Sequence, residues 1–283
     1  MRVLTLFLRF GVERYTDALF ELERLFAGKL SGLDRETLII DNALAEDYEE
    51  RVDSSTLIIG GDNSQREFSG WDRGLRYVGE RIWSFDYVNL VTSAFRELYN
   101  SYLQRFDTCH LEALLAKPAA LGHIDCYNAP VAIGPHRFQH WLRSSFIFVP
   151  PAELKALGSL VSISSPVGIF SGRPEEPFSP EVRLSQNYKE YIIGWLTGGG
   201  TGQGVKWHST FELNEETLPS FESKAVSIFN EALFSARLRA LGCSLIDVTW
   251  FASLPAAGTV SLPLLSTPWK KQLAGRNCDR VLV

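Results

Sequence analysis

Cysteine is scarce in this chain of 283 residues: Cys109, Cys126, Cys243 and Cys278 are the only four. They form no C-x-x-C pair and match no common zinc spacing. A disulfide scaffold and a zinc ribbon are thereby excluded, and the pattern reads as buried free thiols in a reducing compartment. Long apolar runs are also missing. None approaches the roughly 18 residues that a membrane-spanning helix requires. The first fifteen residues, "MRVLTLFLRFGVERY", hold an apolar run broken by Arg9 with no small-residue cleavage site after it, so they read as a β-strand rather than a signal peptide. Positive charge is not in excess: 28 Lys and Arg stand against 33 Asp and Glu, for a net charge of −5 and a pI near 5.6. That balance argues against nucleic acid as a partner but leaves room for a small basic pocket around one phosphorylated ligand. No P-loop is present, because the glycines of "TGGGTGQG" lack a following G-K-[ST]. A cytoplasmic protein is expected, without a transmembrane segment and compatible with peripheral membrane contact.

What the chain does have is an ordinary globular composition, 45% hydrophobic and 22% charged, and a strongly patterned first third. Residues 3–10, 36–41, 55–60 and 85–92 are apolar, β-rich runs. Between them, 16–29 and 69–80 carry apolar residues at helical spacing, Thr16 is placed to cap the first of these, and 43–52 reads as a short polar helix. Near-continuous apolar strands alternating with helices are the mark of a parallel sheet covered on both faces. The second half is less regular. One or two strands are expected over 118–134, a helix running into a strand over 137–150, and a long loop over 165–180. A Gly-dense linker or substrate loop is expected over 195–208, then an amphipathic helix over 221–242 closed by Gly242, and a strand over 244–251.

Ligands of such sheets sit at the carboxyl ends of the strands. Here those ends carry Arg9, Asp41-Asn42, Asp62-Asn63 and Thr92-Ser93. Polar residues also simply mark turns, but four such ends on one edge make a candidate site. The segment "GGDNSQREFSGWD" after the third strand adds Arg66, Trp71 and Asp72. A guanidinium suits bidentate pairing with phosphate, although Arg66 and Glu67 equally suit a surface ion pair. Trp71 either stacks on a ring or packs in the core, as most aromatics do. The histidines are scattered and read as packed side chains, with His208, after the Gly-rich stretch, the one placed to touch substrate.

Two stretches carry a resemblance. "DNSQREFSGWDRGLRYV…FDYVNLVTSAF" is similar in layout to the segment after the third strand of GT-A-type nucleotide-diphospho-sugar transferases, with Asn63, Gly70 and Gly74 in the spaced positions. "NEALFSARLRALGCSLIDV" resembles the E-D-x-x-L-x-x-R-L-x-x-x-G segment of family 2 and rhamnan-synthesis-like glycosyltransferases, through Glu231, Leu233, Arg237, Leu238 and Gly242. The resemblance spans about 10–250. It implies a GT-A-like, Rossmann-type, mostly parallel sheet with helices on both faces, in one domain over 1–283. Residues 1–110 would form the nucleotide-binding half, 111–250 the acceptor-side half and 251–283 a C-terminal extension.

The activity implied is transfer of a sugar from a nucleotide-sugar donor to a glycan, polysaccharide or lipid-linked acceptor. Arg9, Asp41, Asp62, Asn63, Arg66, Trp71, Asp72, Thr92 and Ser93 would bind nucleotide and sugar. His208 would lie on the acceptor side, and Glu231 would be the catalytic base. Ala232 stands where the family has its second carboxylate, and Glu231 also fits a solvated helix residue pairing with Arg237 or Lys224. The family's Asp-x-Asp, which holds Mn2+ or Mg2+ against the diphosphate, is replaced by Val91-Thr92-Ser93-Ala94. Hard cations want a carboxylate among their oxygen ligands. So the chain works without metal, or Asp62 or Asp86 supplies the carboxylate, or it is a degenerate relative that binds a sugar nucleotide or a partner without turnover. A nucleotidyltransferase on a similar fold would want a Gly-, Arg- and Lys-bearing loop after the first strand, which "RFGVERY" offers only faintly.

Overall fold

A computed structural model describes residues 1–97, 100–200, 210–254 and 262–276. In chain order its elements are β1 (Arg2–Arg9), α1 (Ala18–Lys29), β2 (Asp34–Asp41), β3 (Glu49–Arg51), β4 (Thr56–Gly60), α2 (Arg66–Val78) and β5 (Tyr87–Thr92). Then come α3 (Thr108–Ala113), β6 (Ala119–Gly122), β7 (Ile124–Ile133), β8 (His136–Leu142), β9 (Phe146–Val149), α4 (Pro151–Leu157) and α5 (Gln186–Thr197). The chain closes with α6 (Leu218–Ala240), β10 (Ser244–Asp247), α7 (Val248–Ala252), α8 (Leu262–Leu265) and α9 (Trp269–Gly275).

Eight strands make one mixed, largely parallel sheet in the order β10-β6-β9-β5-β1-β2-β4-β3. β1 pairs in parallel with both β2 and β5, and β2 with β4. β9 runs antiparallel between β5 and β6, and β3 antiparallel along β4. The central strands are buried on both faces, which is why they read as unbroken apolar runs. Leu4, Leu6 and Leu8 of β1 meet Phe68, Trp71 and Val78 of α2 on one face. Val3 and Phe7, at alternate positions, meet Leu22, Leu25 and Phe26 of α1 on the other. A third apolar cluster lies outside the sheet, where the β7–β8 hairpin, α5 and the first part of α6 bury Tyr127, Trp141, Tyr188, Phe221 and Phe229. α6 joins the two regions, because its Phe234 and Leu238 belong to the sheet's core. Gly242 ends that helix as expected. It has φ +87°, donates to Arg239 O at 2.9 Å, and lets Cys243 N reach Leu238 O at 3.0 Å.

Several expectations need correction. Residues 43–52 are a turn and the edge strand β3, not a polar helix. The segment 137–150 is two strands, β8 and β9, and not a helix running into a strand. The strand expected over 244–251 stops at Asp247, whose side chain accepts a hydrogen bond from Trp250 N at 2.9 Å and so caps α7. Asp17 rather than Thr16 occupies the cap position of α1. Cys243 is buried as expected, but Cys126 is only partly covered and Cys109 is exposed; Cys278 lies outside the described residues. Among the described residues, no helix is long and apolar enough to cross a membrane.

Candidate functional site

β1 hands over to β2 through α1 on one face of the sheet, whereas β4 hands over to β5 through α2 on the other. The connections therefore part company between β1 and β5, and a crevice at the carboxyl ends of these two strands is where an open α/β sheet places its ligand. Arg9 ends β1 and Thr92 ends β5. The two ends are stitched together, since Ser93 N donates to Leu8 O at 2.8 Å.

Next to the crevice, Asp41 organises its own edge. Its carboxylate accepts from Arg9 Nε at 2.7 Å, from Gly11 N at 2.9 Å and from Ala43 N at 3.0 Å. Asp41 is only 3% exposed, so it fixes the loops after β1 and β2 and offers little to a ligand directly. Asn42 does the same toward α2. Its Nδ2 donates to Asn63 Oδ1 at 3.2 Å and to Arg66 O at 3.0 Å. Gly61 lets the chain pass that side chain, for a Cβ there would lie 2.0 Å from Asn42 Oδ1. Asp62 accepts from Ser64 N at 2.8 Å, an Asx turn leading into α2. Arg66 has φ +51°, rare for a residue with a side chain. Its carbonyl is held by Asn42 and by Ser69 Oγ at 3.2 Å, and its Nε donates to Ser223 Oγ of α6 at 3.0 Å.

Two residues of the expected nucleotide set lie elsewhere. Trp71 is fully buried, donates from Nε1 to Leu6 O at 3.2 Å and packs edge-on against Phe68 with centroids 5.7 Å apart. No face is left to stack on a base. Asp72 is buried too, and accepts from Ser159 Oγ and, at 2.7 Å, from Leu160 N. It fastens the segment after α4 onto α2. Arg66 and Glu67 are not a mutual surface pair, since Glu67 accepts instead from Ser227 Oγ at 2.8 Å. His208 lies outside the described residues.

Glu231 is not a solvated helix residue. One carboxylate oxygen accepts from Ser144 N at 2.6 Å and Ser144 Oγ at 2.7 Å, and the other from Trp141 Nε1 at 3.2 Å. Arg237 turns away to the carbonyls of Leu157 and Ser159. Although Glu231 keeps some solvent contact, the surrounding protein desolvates its carboxyl, and this burial outweighs the Ser144 hydrogen bonds. The negative charges of Asp125 and Glu67 add to it, and the pKa is pushed up to about 7.

Beside it lies a titratable group that sequence reasoning missed. Arg143 forks onto Asp125, Nε to Oδ2 at 3.0 Å and the other terminus to Oδ1 at 3.2 Å. His123 Nε2 stands 3.5 Å from the same carboxylate, and its ring stacks on Tyr102 at 4.7 Å. Burial alone would raise the pKa of Asp125, but His123 and Arg143 more than offset it and hold the carboxyl well below its ordinary range. Tyr102 OH and Ser145 Oγ are 3.0 Å apart, and Ser145 O accepts from Thr92 N at 3.2 Å. Glu231 and Thr92 are thus anchored to adjacent residues of one turn between β8 and β9. The alternation of His123 and Asp125 around Ile124 was the available signal, but Arg143 and Ser144 sat in a stretch that reads as helical.

The residues at this edge do not fit a divalent cation. Thr92 and Ser93 bring no carboxylate, and Asp86 sits at the opposite, amino end of β5, accepting from Arg2 N at 2.7 Å. Asp62 is the remaining carboxylate of that pair, and among the described residues no group of three or more His, Cys, Asp or Glu could hold a metal ion. A cavity of about 460 Å³ lies at the amino ends of β2 and β4, and another of about 230 Å³ lies beside α1. Neither is lined by Arg9, Asp41 or Glu231. No known protein family, curated protein or solved structure matches the chain.

Proposed function

We propose that this chain is a GT-A-like glycosyltransferase that moves a sugar from a nucleotide-sugar donor to a glycan or polysaccharide acceptor. The observation that carries the reading is the pairing of a topological switch point with a basic carboxyl group. The crevice between β1 and β5 receives the donor, and Glu231 is fastened to Ser144, the neighbour of Ser145, whose carbonyl accepts from Thr92 N at the end of β5. Arg9, Asp62, Asn63, Arg66, Thr92 and Ser93 frame the donor side. Asp41 positions Arg9 and the two loops, and takes no part in contact with the sugar.

In this reading Glu231 takes the proton of the acceptor hydroxyl as its oxygen attacks the anomeric carbon. The bond from that carbon to the phosphate oxygen breaks, and nucleoside diphosphate leaves. A carboxyl near neutral pKa suits this work, because a general base is most effective when its pKa lies near the working pH. The test is release of nucleoside diphosphate from a panel of sugar nucleotides with glycan acceptors. Turnover is expected for the natural chain, and Glu231→Gln is expected to abolish it while leaving the melting temperature within a few degrees. A binding module without turnover is the second reading, favoured by the missing carboxylate at Thr92-Ser93. It would show nucleotide-dependent stabilisation and no release with any donor.

A further inference from the structure

Trp141 and Ser144 hold Glu231, and the hairpin that carries them is itself held from α9. The hub is Asp247, the fully buried last residue of β10. One of its carboxylate oxygens accepts from Trp250 N at 2.9 Å and from Arg276 Nε at 2.7 Å. The other accepts from Ile124 N at 3.0 Å and from Arg276 Nη2. The same Nη2 donates to Ile124 O at 2.7 Å. Ile124 of β7 thus has its N–H on Asp247 and its carbonyl on the guanidinium that Asp247 holds.

α9 brings Arg276 to that place. Gln272, only 2% exposed, lies across the outer edge of β10. Its Oε1 accepts from Asp247 N at 2.8 Å and its Nε2 donates to Leu245 O at 3.1 Å. One carboxamide so takes two backbone groups that a further strand would otherwise take. Trp269, at the start of α9, stacks on His140 of β8 at 4.9 Å, and Arg239 of α6 donates to the His140 carbonyl at 2.9 Å. α9 therefore straps the edge of the sheet to both strands of the hairpin.

What the strap fixes lies directly opposite the donors to Glu231. In the β7–β8 ladder Ile124 faces Leu142 and Asp125 faces Trp141, and Arg143 N donates to His123 O at 2.9 Å. Trp141 Nε1 donates to Glu231, Ser144 donates to it twice, and Arg143 forks onto Asp125. A buried ion pair is weak grounds for stability, because desolvation offsets its attraction. The consequence of the Asp247–Arg276 pair is the place it imposes on Ile124.

We infer that Arg276 is a positioning residue for Glu231. Through Asp247 and Ile124 it fixes the start of β7, and with it the Trp141 and Ser144 donors that hold the carboxylate. What the carboxylate then does rests on the glycosyltransferase reading.

The titratable and charged groups facing Glu231 are Asp125 and Tyr127 of β7, Arg143 after β8, Glu67 of α2, Tyr188 of α5, and Tyr102 ahead of α3. Burial is the main cause of its raised pKa, so water admitted by a loosened hairpin lowers it. The test follows Glu231 by 13C NMR of glutamate-labelled protein across pH, with its signal assigned by its loss in Glu231→Gln, alongside nucleoside diphosphate release from the sugar-nucleotide panel. The natural chain is expected to titrate at about 7. Arg276→Gln is expected to lower the proton affinity of Glu231 about threefold or more. Arg276→Lys keeps a charge beside Asp247 but has no second arm for the Ile124 carbonyl, and is expected to lower it less. Leu25→Ala, which opens the core under α1, is expected to leave the midpoint in place. An unmoved midpoint in Arg276→Gln, or in Arg276→Lys should the first not fold, overturns the inference and leaves the transferase reading standing. Equal movement in Leu25→Ala also overturns it, since any loss of stability would then suffice. Movement confined to the Arg276 variants, with no release from any donor by the natural chain, supports the positioning and overturns the transferase reading.

Discussion

Ser144 donates twice to a single carboxylate oxygen of Glu231, from its backbone N–H at 2.6 Å and its hydroxyl at 2.7 Å, across 87 residues of chain. Both bonds favour the charged form, yet the carboxyl is raised to about 7 from an ordinary 4.5 because burial dominates. Two consequences are measurable. Activity should rise with pH through about 7, as the base loses its proton. Stability should move the opposite way. The folded state keeps the proton to a higher pH than the unfolded state, so this group's stabilisation is complete below 4.5 and lost as pH rises toward 7. The full swing from this group is up to roughly 3 kcal/mol. Urea unfolding of the natural chain and of Glu231→Gln at pH 5 and pH 8 checks this. The difference in stability between variant and natural chain should shift in favour of Gln at the higher pH.

Asp125 tunes that carboxyl from a neighbouring strand. It stays charged because Arg143 and His123 face it, and its charge presses the Glu231 proton to stay on. Asp125→Asn should therefore move the acid limb of the activity profile to lower pH. It should also cost about 1–3 kcal/mol, because Arg143 loses its bidentate partner. A profile that keeps its midpoint while stability falls would show Asp125 to be structural alone.

Two glycines separate a steric requirement from a merely tolerated residue. A Cβ on Gly60, at the end of β4, would lie 1.6 Å from the carbonyl oxygen of Ala45, a backbone atom that cannot swing aside. Gly28 in α1 has nothing within 4 Å of the same construction. Gly60→Ala should destabilise by about 3 kcal/mol or more, and Gly28→Ala should stabilise by about 0.5–1 kcal/mol through helix propensity. Denaturant midpoints of the two variants, measured side by side, decide the matter.

The legible part of the fold was the part where pattern and burial agree. "VLTLFL", "LIID" and "LIIG" read as strands because β1, β2 and β4 are covered on both faces. β8 misled because Phe138, Trp141 and Leu142 recur at a spacing that a helix would also give, whereas the strand buries Phe138 and Trp141 with Tyr127 in the hairpin's own cluster and Leu142 in the core of the main sheet. β3, "EER", is exposed at all of its residues and is held by backbone pairing with β4 alone, so it leaves no apolar signal. The edge residues Arg9, Asp41, Asp62, Asn63, Thr92 and Ser93 were readable from strand ends. Arg143, Asp125 and Ser144 were not, because their meeting depends on the register of a hairpin that the sequence does not announce. Trp71 illustrates the converse. Its neighbours in sequence are polar, but helical spacing turns it inward, away from the edge that Arg66 faces.

That last placement makes a prediction that separates packing from recognition. Trp71 is fully buried between Phe68 and β1, and its indole N–H is satisfied by Leu6 O at 3.2 Å. Trp71→Phe keeps an aromatic ring but leaves a void and an unpaired strand carbonyl. It should cost about 2–4 kcal/mol of stability. Nucleotide affinity, measured by titration where the variant is still folded, should match that of the natural chain within about twofold. A base stacked on an aromatic ring loses about 1–3 kcal/mol when the ring is truncated to alanine, which is roughly five- to a hundredfold in affinity. Trp71→Ala, if enough folds at low temperature, extends the comparison. Retained affinity there places Trp71 in the core alone, and loss of affinity on that scale would return it to the ligand.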